Sequence, residues 1–284
     1  MSRVEGSRLT FAGHALFART GGAGEALLLI HGFPTSSRDW ERVWPSLAKH
    51  FELHAIDMLG FGQSDKPADF SYSISASADQ WQLLAEARGL PSVRIVAHDY
   101  GNTVAQELLA RQLEGRLPFR IRSIAFLNGG LFPEATHPLL LQKVLLSPLG
   151  PLVARLSSER SFVSSMRRIC AQPPDAAELH EHWALLERAG GRRVLPKLIG
   201  YIRERARYRE RWVGALQRAD IPICLVDGIE DPISGATIVR RWRELLPTAP
   251  VFELNGVGHY PQWEAPERVL AALEAFHAGA DMPQ

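Results

Sequence analysis

Residues 94–110, RIVAHDYGNTVAQELLA, run an apolar strand into a helix through a polar corner only a few residues long. Ile95, Val96 and Ala97 form a continuous apolar run, and Val104, Leu108 and Leu109 then recur at helical spacing. Strand, tight turn and helix in this order make a nucleophile elbow, which lifts its corner side chain off the C-terminal end of a strand. Open α/β sheets gather their ligands at that end. The corner residue is Asp99.

The rest of the chain supplies such a sheet. LTF and ALFART read as an opening hairpin, and ALLLIH (26–31) as a strand buried on both faces. A helix is predicted over 38–49, a strand over 51–57, a helix over about 75–88 and a strand over 121–128. This alternation predicts a parallel, doubly wound sheet. From Phe132 to Trp212 buried-strand patterns stop, and helical ones are punctuated by Pro138, Pro148, Pro151, Pro173 and Pro174. Strands return at 221–228 and 250–256, with a helix at 236–246 between them and a last helix at 266–278. The reading is an α/β core of residues 1–131 and 214–284 with a helical cap, 132–213, inserted into it.

Composition narrows the partners. A formal charge of +1 provides no overall field to draw nucleic acid or an anionic membrane. No apolar run approaches the roughly 20 residues needed to span a bilayer. The segment Met1–Thr20 is polar and strand-like, without the pattern of a signal peptide. Cys170 and Cys224 lack metal or disulfide spacing and are expected to be buried thiols. The expectation is a cytoplasmic enzyme acting on a small molecule, with no metal and no cofactor.

Two further groups join Asp99. Asp231, in DGIEDP, follows the penultimate strand, and His259, in GVGHYPQWEAPE, follows the last. The order nucleophile, acid, histidine is that of one known triad arrangement. Asp227 and Glu230 compete for the acid's role; Asp227 lies close to the strand and Glu230 lacks the following proline, so Asp231 is preferred. HGFP, residues 31–34, follows the first buried strand, and the backbone N–H of Phe33 can pair with that of Tyr100 as an oxyanion hole. The side chains of Phe33 and Tyr100 are also candidates to touch substrate. His31 and His98 are expected to hydrogen-bond within loops, and His180 and His182, two apart on a helix, cannot face one another.

An aspartate at the elbow has a chemical consequence. Its unperturbed pKa of about 3.9 leaves it ionised at neutral pH, so it needs no base before attacking. It suits displacement at a saturated carbon, forming an ester on the enzyme that a histidine-activated water then hydrolyses. Epoxide opening and carbon–halogen cleavage both fit; peptide and ordinary ester hydrolysis do not fit readily.

HGFP, DMLGFGQSDKP, HDYGNTVAQELL and GHYPQWEAP resemble the epoxide hydrolase and haloalkane dehalogenase branch of the α/β-hydrolases, over about residues 25–265. Within it, HGFPTSSRDW, NGGLFPEATHPLLLQK and RWVGAL resemble the mesoderm-specific transcript group. The resemblance implies a mostly parallel eight-stranded sheet flanked by helices, with the helical cap above it. Dehalogenases carry HGNP, a tryptophan after the nucleophile and often an acid after the sixth strand; here Phe33, Tyr100 and Asn128 stand at those places. Epoxide hydrolases use cap tyrosines to protonate the opening ring. Tyr201 matches the late cap tyrosine, with Tyr208 as the alternative, and residues 133–170 contain no early one. The arginines around Tyr201 are expected to form a solvated helix face. The resemblance implies a small apolar epoxide substrate, a halide being the alternative; a ligand-binding protein that keeps the triad but turns over little is the third reading.

Overall fold

A computed structural model describes residues 5–280; the outermost residues of the expected core, 1–4 and 281–284, lie outside it. Eight strands form one sheet: β1 (Glu5–Phe11), β2 (His14–Gly22), β3 (Glu25–Ile30), β4 (Phe51–Asp57), β5 (Ser92–Ala97), β6 (Arg120–Leu127), β7 (Ile223–Gly228) and β8 (Val251–Leu254). Their spatial order is β1-β2-β4-β3-β5-β6-β7-β8. The opening hairpin pairs antiparallel, β2 pairs antiparallel with β4, and every later pair is parallel. β3, β5 and β7 are almost wholly buried, because helices cover both faces. One apolar cluster lies on each side of the sheet: one is built on Leu28, Ile95, Val104, Leu108 and Trp81, the other on Leu29, Trp40, Val96, Leu127 and Phe276.

The order of elements follows the sequence reading with one break in it. The helix expected over 38–49 is instead a short 3-10 turn, Ser37–Trp40, and a single helical turn, Trp44–Leu47. Pro45 explains the division. It has no N–H to give to a continuous helix but suits the first turn of a new one. Between β6 and β7 the described chain makes only helices, from Leu140–Leu145 to Arg209–Gln217.

That helical segment returns to the sheet along the elbow helix, Tyr100–Leu113. The joint is polar and buried. Glu107 of the elbow helix accepts from Arg111 Nε at 2.9 Å, from Arg211 Nε at 2.8 Å and from the Trp212 indole at 2.9 Å. Burial is the largest single influence on this carboxyl and pushes its pKa up; the hydrogen bonds from Arg211, Trp212 and Arg111 together outweigh it, leaving Glu107 below the usual carboxylate range. Its contribution to stability is therefore present above the unfolded value of about 4.3 and lost as pH falls through the lower folded value.

Glu107→Ala leaves the Trp212 indole N–H without its acceptor. It also takes one of two carboxylate partners from each of Arg111, which keeps Asp79, and Arg211, which keeps Glu114. The change should cost about 3 kcal/mol at neutral pH. Thermal unfolding at pH 7 checks the loss. The gap between wild type and variant should narrow as pH drops below about 4, and a gap that does not depend on pH would assign the effect to packing alone.

Candidate active site

Asp99 sits at the corner between β5 and the elbow helix with φ 46° and ψ −104°, a conformation that costs a non-glycine residue about 1–3 kcal/mol. Surrounding bonds hold it there. Its N–H donates to Asn128 O at 2.8 Å, its carbonyl accepts from Asn102 N at 3.1 Å, and Gly101 N donates to His98 O at 2.8 Å. Space is the second constraint. A Cβ at Gly101 would strike the Ile30 carbonyl, and one at Gly129 would lie 2.6 Å from Asp99 Cα. Asn102, larger than an elbow usually carries, is accommodated because its side-chain amide donates to Leu127 O at 2.5 Å.

The Asp99 carboxylate is almost completely buried and faces three donors. Phe33 N–H reaches Oδ2 at 3.1 Å, the expected oxyanion-hole donor already directed at this group. Tyr100, the other expected donor, opens the elbow helix at its first position. Tyr201 Oη lies 3.4 Å from Oδ1 and 3.5 Å from Oδ2. Arg205 Nη2 is 3.6 Å from Oδ1 and donates to the Asp99 carbonyl at 2.8 Å.

His259 and Asp231 meet as expected, Nδ1 to Oδ2 at 2.7 Å. Asp231 also accepts from Ser234 Oγ at 2.5 Å, from Ile233 N at 2.8 Å and from Asn128 Nδ2 at 3.1 Å. Burial pushes the Asp231 carboxyl up, but His259 and these donors outweigh it and leave it below its ordinary value. For His259 burial pulls downward, and the Asp231 charge and hydrogen bond, aided by Asp99, bring the imidazole above 6.5. Asp227, the rival acid, is buried against Asn128 at 3.2 Å, and burial, aided by the Asp231 charge, pushes its carboxyl well above the ordinary value. Glu230 is exposed.

Other expectations meet mixed outcomes. His98 and His31 each bond to a loop, His98 Nε2 to His259 O at 2.8 Å and His31 Nδ1 to Gly32 O at 2.9 Å. His182 packs on Trp263 while His180, exposed, meets Glu159. The side chain of Tyr100 is engaged within the protein: its hydroxyl is bound to Ser77 Oγ at 2.8 Å, and its ring packs on Phe61 and Tyr201. Tyr208 is also displaced from the site. It caps two helices at the surface against Trp212, because the chain turns there. The solvated arginine face is wrong for Arg205, which is 5 % exposed and lies beneath Tyr201.

Sequence reasoning missed Glu264. Its carboxylate accepts from four backbone N–H groups: Gly258 at 2.9 Å, Tyr260 at 3.1 Å, Ala171 at 2.7 Å and Gln172 at 2.9 Å. It thereby fixes the His259 loop to the helical segment. An apolar cavity of about 90 Å³ reaches Phe33 and His259 between Leu145, Phe162, Met166 and Trp183. A wider surface groove near Arg38 and Glu181 holds none of the site residues. Among the described residues no group of three or more His, Cys, Asp or Glu is arranged to hold a metal, and no helix is long and apolar enough to cross a membrane.

The His259 assignment can be checked without substrate. Its imidazole, followed by NMR, should titrate above 6.5 in the wild type and fall below that value in Asp231→Asn, where burial prevails. Because the folded value is raised, the pair stabilises the fold fully below about 6.5 and loses that contribution as pH climbs through the folded value. Asp227→Asn should leave the His259 titration nearly unchanged; a shift as large as that in Asp231→Asn would move the acid to Asp227.

Comparison with known proteins agrees with this architecture. LipZ of Mycobacterium tuberculosis is 41% identical over 260 residues, covering 90% of each chain. The mouse mesoderm-specific transcript protein is 38% identical over 288 residues, covering 96% of this chain and 86% of its own. Among solved structures, the haloalkane dehalogenase DatA from Agrobacterium tumefaciens superposes with a TM-score of 0.81 at 21% identity, covering 96% of both chains; at that identity the likeness is one of fold. Residues 25–266 match the α/β-hydrolase fold family, and the chain is a hydrolase belonging to that family.

Proposed function

We propose that the protein opens a small, largely apolar epoxide to a vicinal diol through an ester on Asp99. The observation that carries this reading is the Tyr201 hydroxyl, buried and 3.4–3.5 Å from both oxygens of the elbow carboxylate. A carboxylate suits attack on carbon, and a phenol facing it suits donation to an oxygen leaving that carbon. In this reading residues 132–213 are a cap, which brings Tyr201 over the sheet and encloses an apolar cavity.

An Asp99 oxygen bonds to an epoxide carbon, the ring C–O bond breaks, and Tyr201 gives its proton to the departing oxygen. His259, oriented by Asp231, takes a proton from water, which attacks the Asp99 ester carbonyl. The N–H groups of Phe33 and Tyr100 stabilise the oxyanion. Collapse expels the second diol oxygen, which takes the proton from His259. The remaining proton of that water returns by way of Asp99 to Tyr201.

Halide release by the same nucleophile is the second reading, and the side chains at the dehalogenase positions speak against it. Phe33 has no side-chain donor. Tyr100 is bound to Ser77, and Asn128 is committed to Asp227, Asp231 and Gly228. A bare halide would be left poorly solvated.

A single turnover in H₂¹⁸O with enzyme in excess should give unlabelled diol and place the heavy oxygen in Asp99. His259→Gln should trap the ester, visible by intact mass and mapped to Asp99 by peptide analysis. Solvent label in the first diol, with no adduct, would make Asp99 a general base instead. Tyr201→Phe should slow formation of the adduct by about 10²-fold or more, and an unaffected rate would remove the epoxide assignment. Tight retention of an epoxide with no product would favour a binding protein.

A further inference from the structure

Arg205 is a buried cation beside the proposed nucleophile, and the steps above leave it without a task. Its guanidinium donates from Nε to Thr103 Oγ1 at 2.7 Å and from Nη2 to the Asp99 carbonyl at 2.8 Å. It lies 3.6 Å from Asp99 Oδ1 and 4.4 Å from the centre of the Tyr201 ring. Other acids nearby are engaged elsewhere. Glu204 accepts from Ile74 N at 3.2 Å, and Glu107 is taken up by Arg111, Arg211 and Trp212. Among the described residues, Asp99 is the carboxylate with which Arg205 forms an ion pair.

That arrangement has a consequence for the charge of the centre. At rest it holds one anion, Asp99, and one cation, Arg205. Esterification removes the charge from Asp99, and donation by Tyr201 creates a new one on the phenol oxygen. An unpaired buried charge is costly, so a centre that keeps a counterion at hand through both states avoids the penalty. The cation is already seated on the ring that receives the charge, a favourable placement for an arginine.

We propose that Arg205 is a positioning residue that serves as the counterion of a single migrating negative charge, carried first by the Asp99 carboxylate and then by the Tyr201 phenolate. This rests on the epoxide-opening reading, and it gives Tyr201 the support that the absent early cap tyrosine does not provide. The direction of influence on the phenol agrees. Burial raises it most, the Asp99 charge raises it further, and Arg205 lowers it. Loss of the Asp99 charge leaves the cation's pull unopposed by that carboxylate.

The test uses the full chain in the His259→Gln background, with styrene oxide as probe. Mass-detected formation of the Asp99 adduct should slow by about 10²-fold in Arg205→Gln, which keeps a polar side chain without the charge. Arg205→Lys, which keeps the charge without the fork, should remain within about tenfold of the parent. The phenolate absorbance that develops on alkylation at alkaline pH should persist with lysine and vanish with glutamine. Equal rates in the glutamine variant, or equal losses in both variants, would overturn the proposal. No adduct even with Arg205 intact would sink the nucleophile reading, which a second, substrate-free measurement separates from this one. In Asp99→Asn, the phenol assigned to Tyr201 by its loss in Tyr201→Phe should ionise at lower pH than in Asp99→Asn/Arg205→Gln. The double variant removes both members of the ion pair, so it leaves no unpaired buried charge and serves where Arg205→Gln alone fails to fold. Equal ionisation points in the two would show that Arg205 does not act on Tyr201.

Discussion

The backbone of Asp99 is held at positive φ by groups from three separate parts of the chain, and the site is arranged around that constraint. Asn128 receives its N–H, Asn102 and Arg205 bond its carbonyl, and Gly129 leaves room behind its Cα. A relaxed corner would turn the carboxylate away from Phe33 N and Tyr201 Oη. The strain of about 1–3 kcal/mol is small beside the burial of the two flanking elements, so the fold can maintain it. Asn128 extends the constraint sideways. The residue whose carbonyl fixes Asp99 also donates from its side chain to Asp227, Gly228 and Asp231, so the elbow and the acid share one support.

The helical segment between β6 and β7 is joined to the sheet by polar contacts as well as apolar ones. Glu107 binds its exit helix, Arg205 binds the elbow, and Glu264 binds Ala171 and Gln172. Each join places a charged group under cover with its partners satisfied. Such contacts add little net stability over apolar packing but are strict about geometry. That strictness is what a phenol 3.4 Å from a carboxylate requires.

Much of this was legible because the fold repeats one rule. Asp99 and Asp231 each follow a strand whose apolar run is plain, and His259 follows the shorter Val251–Leu254, so chain order brought all three to one end of the sheet. The side chains that join elements were harder to read. Arginine occupies every second position from 203 to 211, a pattern that spreads them around a helix and hides which one turns inward. Tyr201 and Arg205 are four apart and are the two buried residues of their helix; the spacing was visible but the burial was not. The placements of Tyr100 and Tyr208 were hidden for a similar reason: a hydroxyl's partner, here Ser77, or the surface where a helix turns, is set by tertiary packing. The division of the 38–49 segment is legible in Pro45, which cannot donate to a continuous helix and opens a new turn instead.

Glu264 has a bearing on how molecules reach the cavity. Four amides from two regions converge on one carboxylate, so lifting the segment around Ala171 would pull on the loop that carries His259. The loop and that segment therefore shift together or not at all. Leu141 also lines the cavity but lies outside these bonds; it is 40 % exposed, next to Leu140 at 75 %. The wall those leucines form is free to shift without breaking any of the four bonds to Glu264.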